Sequence, residues 1–169
     1  MVEGRLEFLG GRLWYMPPSG DIQQFVAVDV AYVLRSWVEG HPEFRVGGNE
    51  AGILFGKGEI RAADVAVWRR DDSQPLTGGF QTSPPVLAVE VAGREDEGEE
   101  KLREKALWYL ARGVEVVWLI FPETRSCLVI RRESEESVSS VGVLSEVDRL
   151  PGLTPRVASF FSQLPPLVR

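Results

Sequence analysis

The chain has 169 residues, of which 44% are apolar and 26% are charged, and we expect one globular domain over residues 1–169. Its net charge of −6 argues against a protein that coats nucleic acid with a broad basic surface, but not against a local basic patch. The sequence has neither the about 18 to 20 apolar residues that a membrane helix needs nor the features of a signal peptide. We therefore expect a cytoplasmic protein without membrane contact.

The first part of the chain predicts a hairpin followed by a long helix. Two short apolar runs, at residues 6–9 and 13–16, are joined by two glycines, which is typical of a β-hairpin. A helix is predicted from Asp21 to about residue 39, after a break at 17–20 that is rich in proline. Its apolar residues cover most of its circumference, so it is either buried on several sides or in contact with another subunit.

The rest of the chain predicts a sheet with two further helices. The predicted strands are residues 44–46, 52–55, 60–68, 86–92, 114–121, 125–131 and 137–143, and the predicted helices are about 95–112 and about 154–161. Cys127, the only cysteine, falls in an apolar strand, which predicts a buried thiol. The order of elements predicts an α/β fold in which a mixed β-sheet is flanked by helices and preceded by the N-terminal hairpin.

Two predicted strands each carry one acidic residue in an apolar setting, Asp64 in the first and Glu90 in the second. Burying an unpaired carboxylate is costly, so each acid needs a partner. Strand alternation places alanines on the same face as each acid, which leaves room beside the carboxylate. Two carboxylates on adjacent strands predict an oxygen site for Mg²⁺. The alternative is a protonated acid or a buried ion pair with Arg61, Arg94 or a lysine.

The helix after Glu90 carries Lys105 at the flank of its inward stripe. That stripe consists of apolar residues three and four positions apart, namely Leu102, Ala106, Tyr109 and Leu110. The aliphatic stem of Lys105 could lie along the core and deliver its ammonium toward the two acids. The alternative is a solvated face, because this helix is rich in glutamates that can pair with lysine at i,i+4 spacing.

Four stretches of the chain, taken in order, resemble known proteins. They are Gly-Gly-Arg-Leu-Trp-Tyr-Met-Pro-Pro-Ser at 10–19, Ala-Asp-Val-Ala-Val at 63–67, Pro-Val-Leu-Ala-Val-Glu-Val at 85–91, and Lys-Ala-Leu-Trp-Tyr at 105–109. Together they resemble a large bacterial family of restriction-endonuclease-like proteins in the PD-(D/E)XK nuclease superfamily. The resemblance extends from about residue 4 to the end of the chain.

This resemblance implies a metal-dependent endonuclease, a hydrolase that cuts phosphodiester bonds of DNA with Mg²⁺ or Mn²⁺. It implies Asp64 and Glu90 as catalytic metal ligands, with the backbone carbonyl of Val91 as a further ligand. It also implies that Lys105 is catalytic, orienting or polarising the attacking water and neutralising phosphate charge. In this family the motif lysine has moved from the strand to the following helix, which explains Ala92 at the usual lysine position.

The chain departs from the family pattern near these residues. Arg12 stands where relatives commonly have a glutamate, Ile22 where many have a histidine, and Lys101 where an acid is common. Arg12, Ile22 and the acidic pI of about 5.0 favour a rival hypothesis, a catalytically silent binding or assembly module on a nuclease fold. Binding of a divalent ion discriminates between the two, because a silent module has no need of one. No motif supports a third function, a phosphatase that acts on small phosphoesters.

Nucleases of this kind often work as dimers, because two active sites cut two strands. We therefore expect DNA as a partner and a homodimer or higher homo-oligomer. The apolar first helix, with Tyr32 and Trp37, is the candidate subunit contact. The alternative is that this helix packs inside its own domain.

Overall fold

The computed structural model describes residues 5–48, 51–56, 58–70, 76–93 and 98–167. Over these residues the fold consists of two β-sheets and two α-helices. The strands are β1 (Arg5–Leu9), β2 (Arg12–Met16), β3 (Phe44–Gly47), β4 (Ala51–Phe55), β5 (Glu59–Ala63), β6 (Val65–Arg69), β7 (Leu87–Val91), β8 (Val116–Phe121), β9 (Ser126–Arg131) and β10 (Glu135–Ser139). The helices are α1 (Asp21–Val38), α2 (Glu99–Leu110) and a 3-10 helix (Val157–Phe161). The first residues of the predicted helix 95–112 lie outside the described residues.

The smaller sheet has four antiparallel strands in the order β2-β1-β5-β4. Its first two strands are the predicted hairpin, which turns at Gly10 and Gly11 with φ values of 56° and 77°. A tight hairpin turn of this kind needs positive φ at both central residues, which glycine adopts without strain. The hairpin thus lies with β5 and β4 in a sheet separate from the larger one, which the sequence pattern did not predict.

The larger sheet has six strands in the order β10-β9-β8-β7-β6-β3. Only β7 and β8 are parallel to each other, and α2 forms the crossover between them, as a parallel pair requires. Helix α1 packs on one face through Val26, Val30 and Leu34. Helix α2 packs on the other face through the predicted stripe of Leu102, Ala106, Tyr109 and Leu110. This arrangement confirms the prediction of a mixed sheet flanked by helices.

The predicted single strand over residues 60–68 is wrong, because two strands occupy this segment and they belong to different sheets. Strand β5 ends at Ala63 in the smaller sheet, and β6 begins at Val65 in the larger one. Asp64 is the one residue between them. Its side chain accepts a hydrogen bond from the backbone of another strand, and such a bond competes with regular ladder pairing. The segment has no glycine or proline that would have indicated this change of sheet.

Helix α1 is buried along one side and open along the other. Phe25, Val28 and Tyr32 are exposed, with 72% of Tyr32 accessible. Trp37 instead packs within the chain, where its ring contacts Phe44 and its Nε1 donates to the carbonyl oxygen of Pro151. The prediction that Trp37 forms part of a subunit contact is therefore not supported by its position. No described helix is both long and apolar enough to cross a membrane.

Candidate active site

The break between β5 and β6 places Asp64 beside the end of β7. The pairing of Val65 with Val89 puts Asp64 opposite Glu90, and the Asp64 amide still donates to the Val89 carbonyl at 3.1 Å. The residues before Asp64 belong to the smaller sheet. On the β6 side of β7, the peptide groups of Val91 therefore have no partner strand. The Val91 amide instead donates to Asp64 Oδ2 at 2.8 Å. The Asp64 carboxylate thus takes the place of a strand carbonyl as the acceptor for the Val91 amide. This hydrogen bond holds the Asp64 side chain in its buried position.

Glu90 points from the centre of the larger sheet toward α2, where two side chains hold its carboxylate. Lys105 Nζ donates to Oε2 at 2.8 Å, and the Tyr109 hydroxyl donates to Oε1 at 3.0 Å. Lys105 and Tyr109 are four residues apart, so they lie on the same face of the helix. All three side chains are buried. The structure therefore brings Lys105 to Glu90, as the sequence predicted, and the alternative of a solvated Lys105 is wrong.

A third buried acid, Glu7 on β1, lies in the same cluster. Its Oε2 accepts from Arg61 Nε at 3.0 Å, its Oε1 accepts from the Ala62 amide at 3.2 Å, and its Oε1 lies 3.7 Å from Lys105 Nζ. Lys105 Nζ also donates to the Ala62 carbonyl at 3.1 Å. Glu7 therefore binds the amide of Ala62 and Lys105 binds its carbonyl, two positions before Asp64.

Glu7 was not predicted as a site residue, although its sequence context carries the same signal as Asp64 and Glu90. Glu7 is a single acid between Leu6 and Phe8 in an apolar run. Because one face of a terminal hairpin is commonly solvated, an exposed Glu7 was the simpler expectation. Arg12, where relatives commonly have an acid, is exposed at the turn of the same hairpin. The hairpin thus contributes the carboxylate of Glu7 to the cluster, and the side chain of Arg12 lies outside it in solvent.

The cluster carries three carboxylates, Glu7, Asp64 and Glu90, against two cations, Arg61 and Lys105, which leaves a formal charge of −1. No described lysine or arginine forms an ion pair with Asp64, and Arg94, one of its predicted partners, lies outside the described residues. Burial raises the pKa of Tyr109 well above its ordinary value, and the charges of Glu90 and Glu7 raise it further. The hydroxyl of Tyr109 therefore keeps its proton and remains a donor to Glu90.

The oxygen donors of this cluster fit a hard divalent ion. Mg²⁺ is bound in proteins through one or two carboxylates, together with water and substrate phosphate oxygens. Asp64 and Glu90 would supply the carboxylates for such an ion. The Val91 carbonyl accepts from Gln23 Nε2 at 3.0 Å and has a second lone pair for another contact. Over the described parts of the chain, no three acidic, histidine or cysteine side chains converge as a ready-made metal cage.

A large cavity lies at another place. It has a volume of about 860 Å³ and is found between the N-terminal ends of α1 and α2, beside the ends of β7 and β8. Neither Asp64, Glu90 nor Lys105 lines it. The buried acids therefore identify the candidate site, and the cavity does not.

Comparison with known proteins extends these observations. A family model described as "Uma2: Putative restriction endonuclease" matches residues 2–159 of the chain. Among curated proteins, none matches the sequence at a significant level.

Two solved structures are similar to the chain. One is described as a putative nuclease belonging to DUF820 from Anabaena variabilis ATCC 29413, with a TM-score of 0.79, 18% identity, and coverage of 93% of this chain and 89% of that chain. At this identity the likeness shows the fold alone, and it confirms the predicted restriction-endonuclease-like class. The other is a DrdV–DNA complex, with a TM-score of 0.43, 19% identity, and coverage of 81% of this chain and 11% of that chain, a score too low to support an inference.

Proposed function

The chain belongs to the Uma2 family of putative restriction endonucleases, and from this premise we propose that it is a Mg²⁺- or Mn²⁺-dependent endonuclease that hydrolyses phosphodiester bonds of DNA. In this proposal Asp64, Glu90 and the Val91 carbonyl hold the metal ion, and Lys105 is catalytic. One observation carries it. Asp64 is buried at the break between two sheets, without an ion pair from the described residues, beside the buried pair of Glu90 and Lys105.

The charge of the cluster supports a cation as the missing component. A buried carboxylate without a compensating charge is unfavourable, and the cluster has one carboxylate more than it has cations. A bound divalent ion would lower the pKa of a water ligand and stabilise the charge that develops on the phosphate. Asp64 is already oriented for such an ion, because its Oδ2 is fixed by the Val91 amide.

The chain's own side chains supply the rest of the proposed chemistry. Lys105 carries a positive charge in a place with little water, where it neutralises phosphate charge more effectively than it would at the surface. Tyr109 stays protonated and fixes the second oxygen of Glu90. Glu7 and Arg61 position the strand that leads into Asp64, because Glu7 binds both Arg61 and the Ala62 amide. Glu7 and Arg61 are positioning residues in this proposal.

One observation favours the rival, a catalytically silent module on the same fold. Both oxygens of Glu90 already have hydrogen-bond donors within the chain, from Lys105 and Tyr109. A structural ion-pair network can have this form without any metal ion. Metal binding and cleavage must therefore be measured separately.

The test is cleavage of plasmid and single-stranded DNA with Mg²⁺ or Mn²⁺, together with calorimetric titration of the ion alone. The variants are Asp64→Asn, Glu90→Gln and Lys105→Met, which keep the approximate size of each side chain. Asp29→Asn is the control, because Asp29 is a buried acid whose contacts are with the C-terminal segment. Cleavage by the wild type and the control, lost in the other three, supports the nuclease. No cleavage and no ion binding by the wild type supports the silent module.

A further inference from the structure

The smaller sheet has two faces of different chemistry. The inner face carries the buried Glu7 and the half-buried Arg61 of the candidate site, which lie opposite each other on β1 and β5. Strand alternation assigns eight positions to the outer face: Leu6, Phe8, Leu13, Tyr15, Gly52, Leu54, Ile60 and Ala62. None of these eight residues is charged.

The outer face is also continuous across the sheet. The strand registers align Leu54, Ile60, Phe8 and Leu13 in one row across all four strands. The ring of Phe80 lies beside this row, in the space that a side chain at Gly52 would occupy. The result is an apolar surface that extends from β4 to the edge strand β2.

The part of this surface on the hairpin strands and at Phe80 is open to solvent, whereas the β5 and β4 part is half-buried and Ala62 is buried. The exposed fractions are 60% for Leu6, 67% for Leu13, 49% for Tyr15 and 53% for Phe80. An antiparallel sheet with one solvated face normally places polar residues on that face. Contiguous exposed apolar surface of several hundred Å² usually marks an interaction site.

We propose that this outer face binds the same face of a second copy of the chain. A face without cations does not attract the phosphates of nucleic acid or of a lipid surface. Two copies that each carry a net charge of −6 repel each other least where their surfaces are neutral. Because identical apolar faces complement each other, the contact would be isologous, with a two-fold axis.

The available area agrees with a dimer. The exposed parts of the side chains on this face amount to on the order of 600 Å² per copy, or on the order of 1,200 Å² for two copies, which is the lower end of the range for stable interfaces. Two sheets can pack face to face in this way, with side chains of both filling the space between them. The proposal does not depend on the nuclease activity.

Helix α1 offers a competing surface and therefore a matched control. Its exposed side includes Phe25, Val28 and Tyr32, but also Arg35 and Glu39, which pair with each other in solvent. This mixture of apolar and charged groups fits a solvated helix face better than the centre of an interface, where charges are depleted. We therefore place the subunit contact on the smaller sheet.

Sedimentation velocity of the full chain between about 1 and 100 µM tests the proposal. We expect a dimer for the wild type. Leu13→Glu, which would bury a carboxylate of each copy in the apolar contact, should raise the dimer Kd by about 100-fold or more. Leu6→Glu on the neighbouring strand should act in the same way, while Tyr32→Glu should leave the Kd unchanged. Circular dichroism checks that each variant is folded.

Three results would overturn the proposal. The first is a wild type that stays monomeric across the whole concentration range. The second is an unchanged Kd in a folded Leu13→Glu or Leu6→Glu variant. The third is dissociation caused by Tyr32→Glu alone, which would move the interface to α1. Since Leu6 and Leu13 are exposed in the single chain, glutamate at either position is compatible with a folded monomer, and two independent variants guard against local misfolding.

Discussion

The ammonium of Lys105 lies 2.8 Å from Oε2 of Glu90, and both side chains are buried between α2 and the larger sheet. A contact of this kind has two separate consequences. The lysine is placed where the proposed chemistry needs a positive charge, and it also compensates a carboxylate that the fold has removed from water. Loss of activity in a lysine variant therefore has to be separated from loss of stability.

Replacing Lys105 with methionine should destabilise the protein by about 3 to 5 kcal/mol at neutral pH, because it leaves Glu90 buried without its cation. The free energy of unfolding in urea, measured without divalent ions, tests this expectation. Lys101→Met, one turn earlier in the same helix at a position where the side chain is exposed, is the control and should change the free energy by less than about 0.5 kcal/mol. Equal effects of the two substitutions would contradict the structural role of the pair.

Glu7→Gln should lower the free energy of unfolding by about 1.5 to 3 kcal/mol, because its hydrogen bonds to Arg61 and the Ala62 amide lose the charge of their acceptor. The variant keeps an oxygen for these donors, so it should stay folded. Under the proposed function it should also reduce cleavage, because the Ala62 segment leads into Asp64. Normal cleavage with reduced stability would limit Glu7 to a structural role.

Binding of Mg²⁺ should raise the stability of the wild type. For an ion present at ten times its Kd, the expected gain is about 1.4 kcal/mol. Asp64→Asn should lose this gain while keeping its stability in the absence of the ion within about 1 kcal/mol, because the amide oxygen can still accept from the Val91 amide. Thermal unfolding with Mg²⁺ and with a chelator measures both effects. An equal gain in Asp64→Asn would exclude Asp64 as a ligand.

The stability of the protein should fall at alkaline pH partly through Cys127. Burial raises the pKa of this thiol in the folded state above its ordinary value of 9.0, and the charges of Glu136 and Glu146 add to the effect. The unfolded chain then releases the proton near pH 9 and the folded chain does not, so this contribution is complete below pH 9 and is lost as the pH rises further.

The comparison of the wild type with Cys127→Ala isolates this effect. Above pH 9, the free energy of unfolding of the wild type should decline more steeply than that of the variant, by up to about 1.4 kcal/mol per pH unit. Denaturant titrations at several pH values between 8 and about 10.5 give the two slopes. Parallel slopes would mean that the thiol of the folded chain titrates like that of the unfolded chain.

Asp29 should contribute strongly to docking of the C-terminal segment. Its carboxylate is buried on α1 and accepts from the Ser162 hydroxyl, the Gln163 amide and the Gln163 side chain at 2.7 to 3.2 Å. Asp29→Ala removes the acceptor of three donors and should cost about 2 to 4 kcal/mol. Asp29→Asn keeps one oxygen and should cost less. Hydrogen exchange of the amides at 157–164 would show whether the loss is local.

Local patterns predicted most elements, because each has its own signal. The glycine turn predicted the hairpin, and the apolar run before Glu90 predicted a central strand. An acid alone in an apolar strand drew attention to Asp64 and Glu90, and the structure places both in buried positions opposite each other. Their catalytic roles, the metal ion and the single domain over 1–169 stay predictions.

The features that the sequence did not reveal depend on contacts between distant segments. The change of sheet at Asp64 leaves little trace in the sequence, because the segment from Ala62 to Val67 is apolar apart from Asp64 and contains neither glycine nor proline. Glu7 is buried only because β5 and α2 bring Arg61 and Lys105 over it, at sequence separations of 54 and 98 residues. Strand β10 ends at Ser139, earlier than predicted, because a turn after it connects to the C-terminal segment.

Asp64 is the single residue between β5 and β6, so the geometry of the site depends on the angle between the smaller sheet and the larger sheet. A small rotation of the hairpin sheet against the larger sheet would turn about this residue and shift Glu7 relative to Glu90. Lys105 resists such a rotation, since its ammonium contacts the Ala62 carbonyl on one side and Glu90 on the other. The relative positions of the three acids therefore depend on how the two sheets are oriented, and Lys105 stabilises that orientation by contacting both sheets.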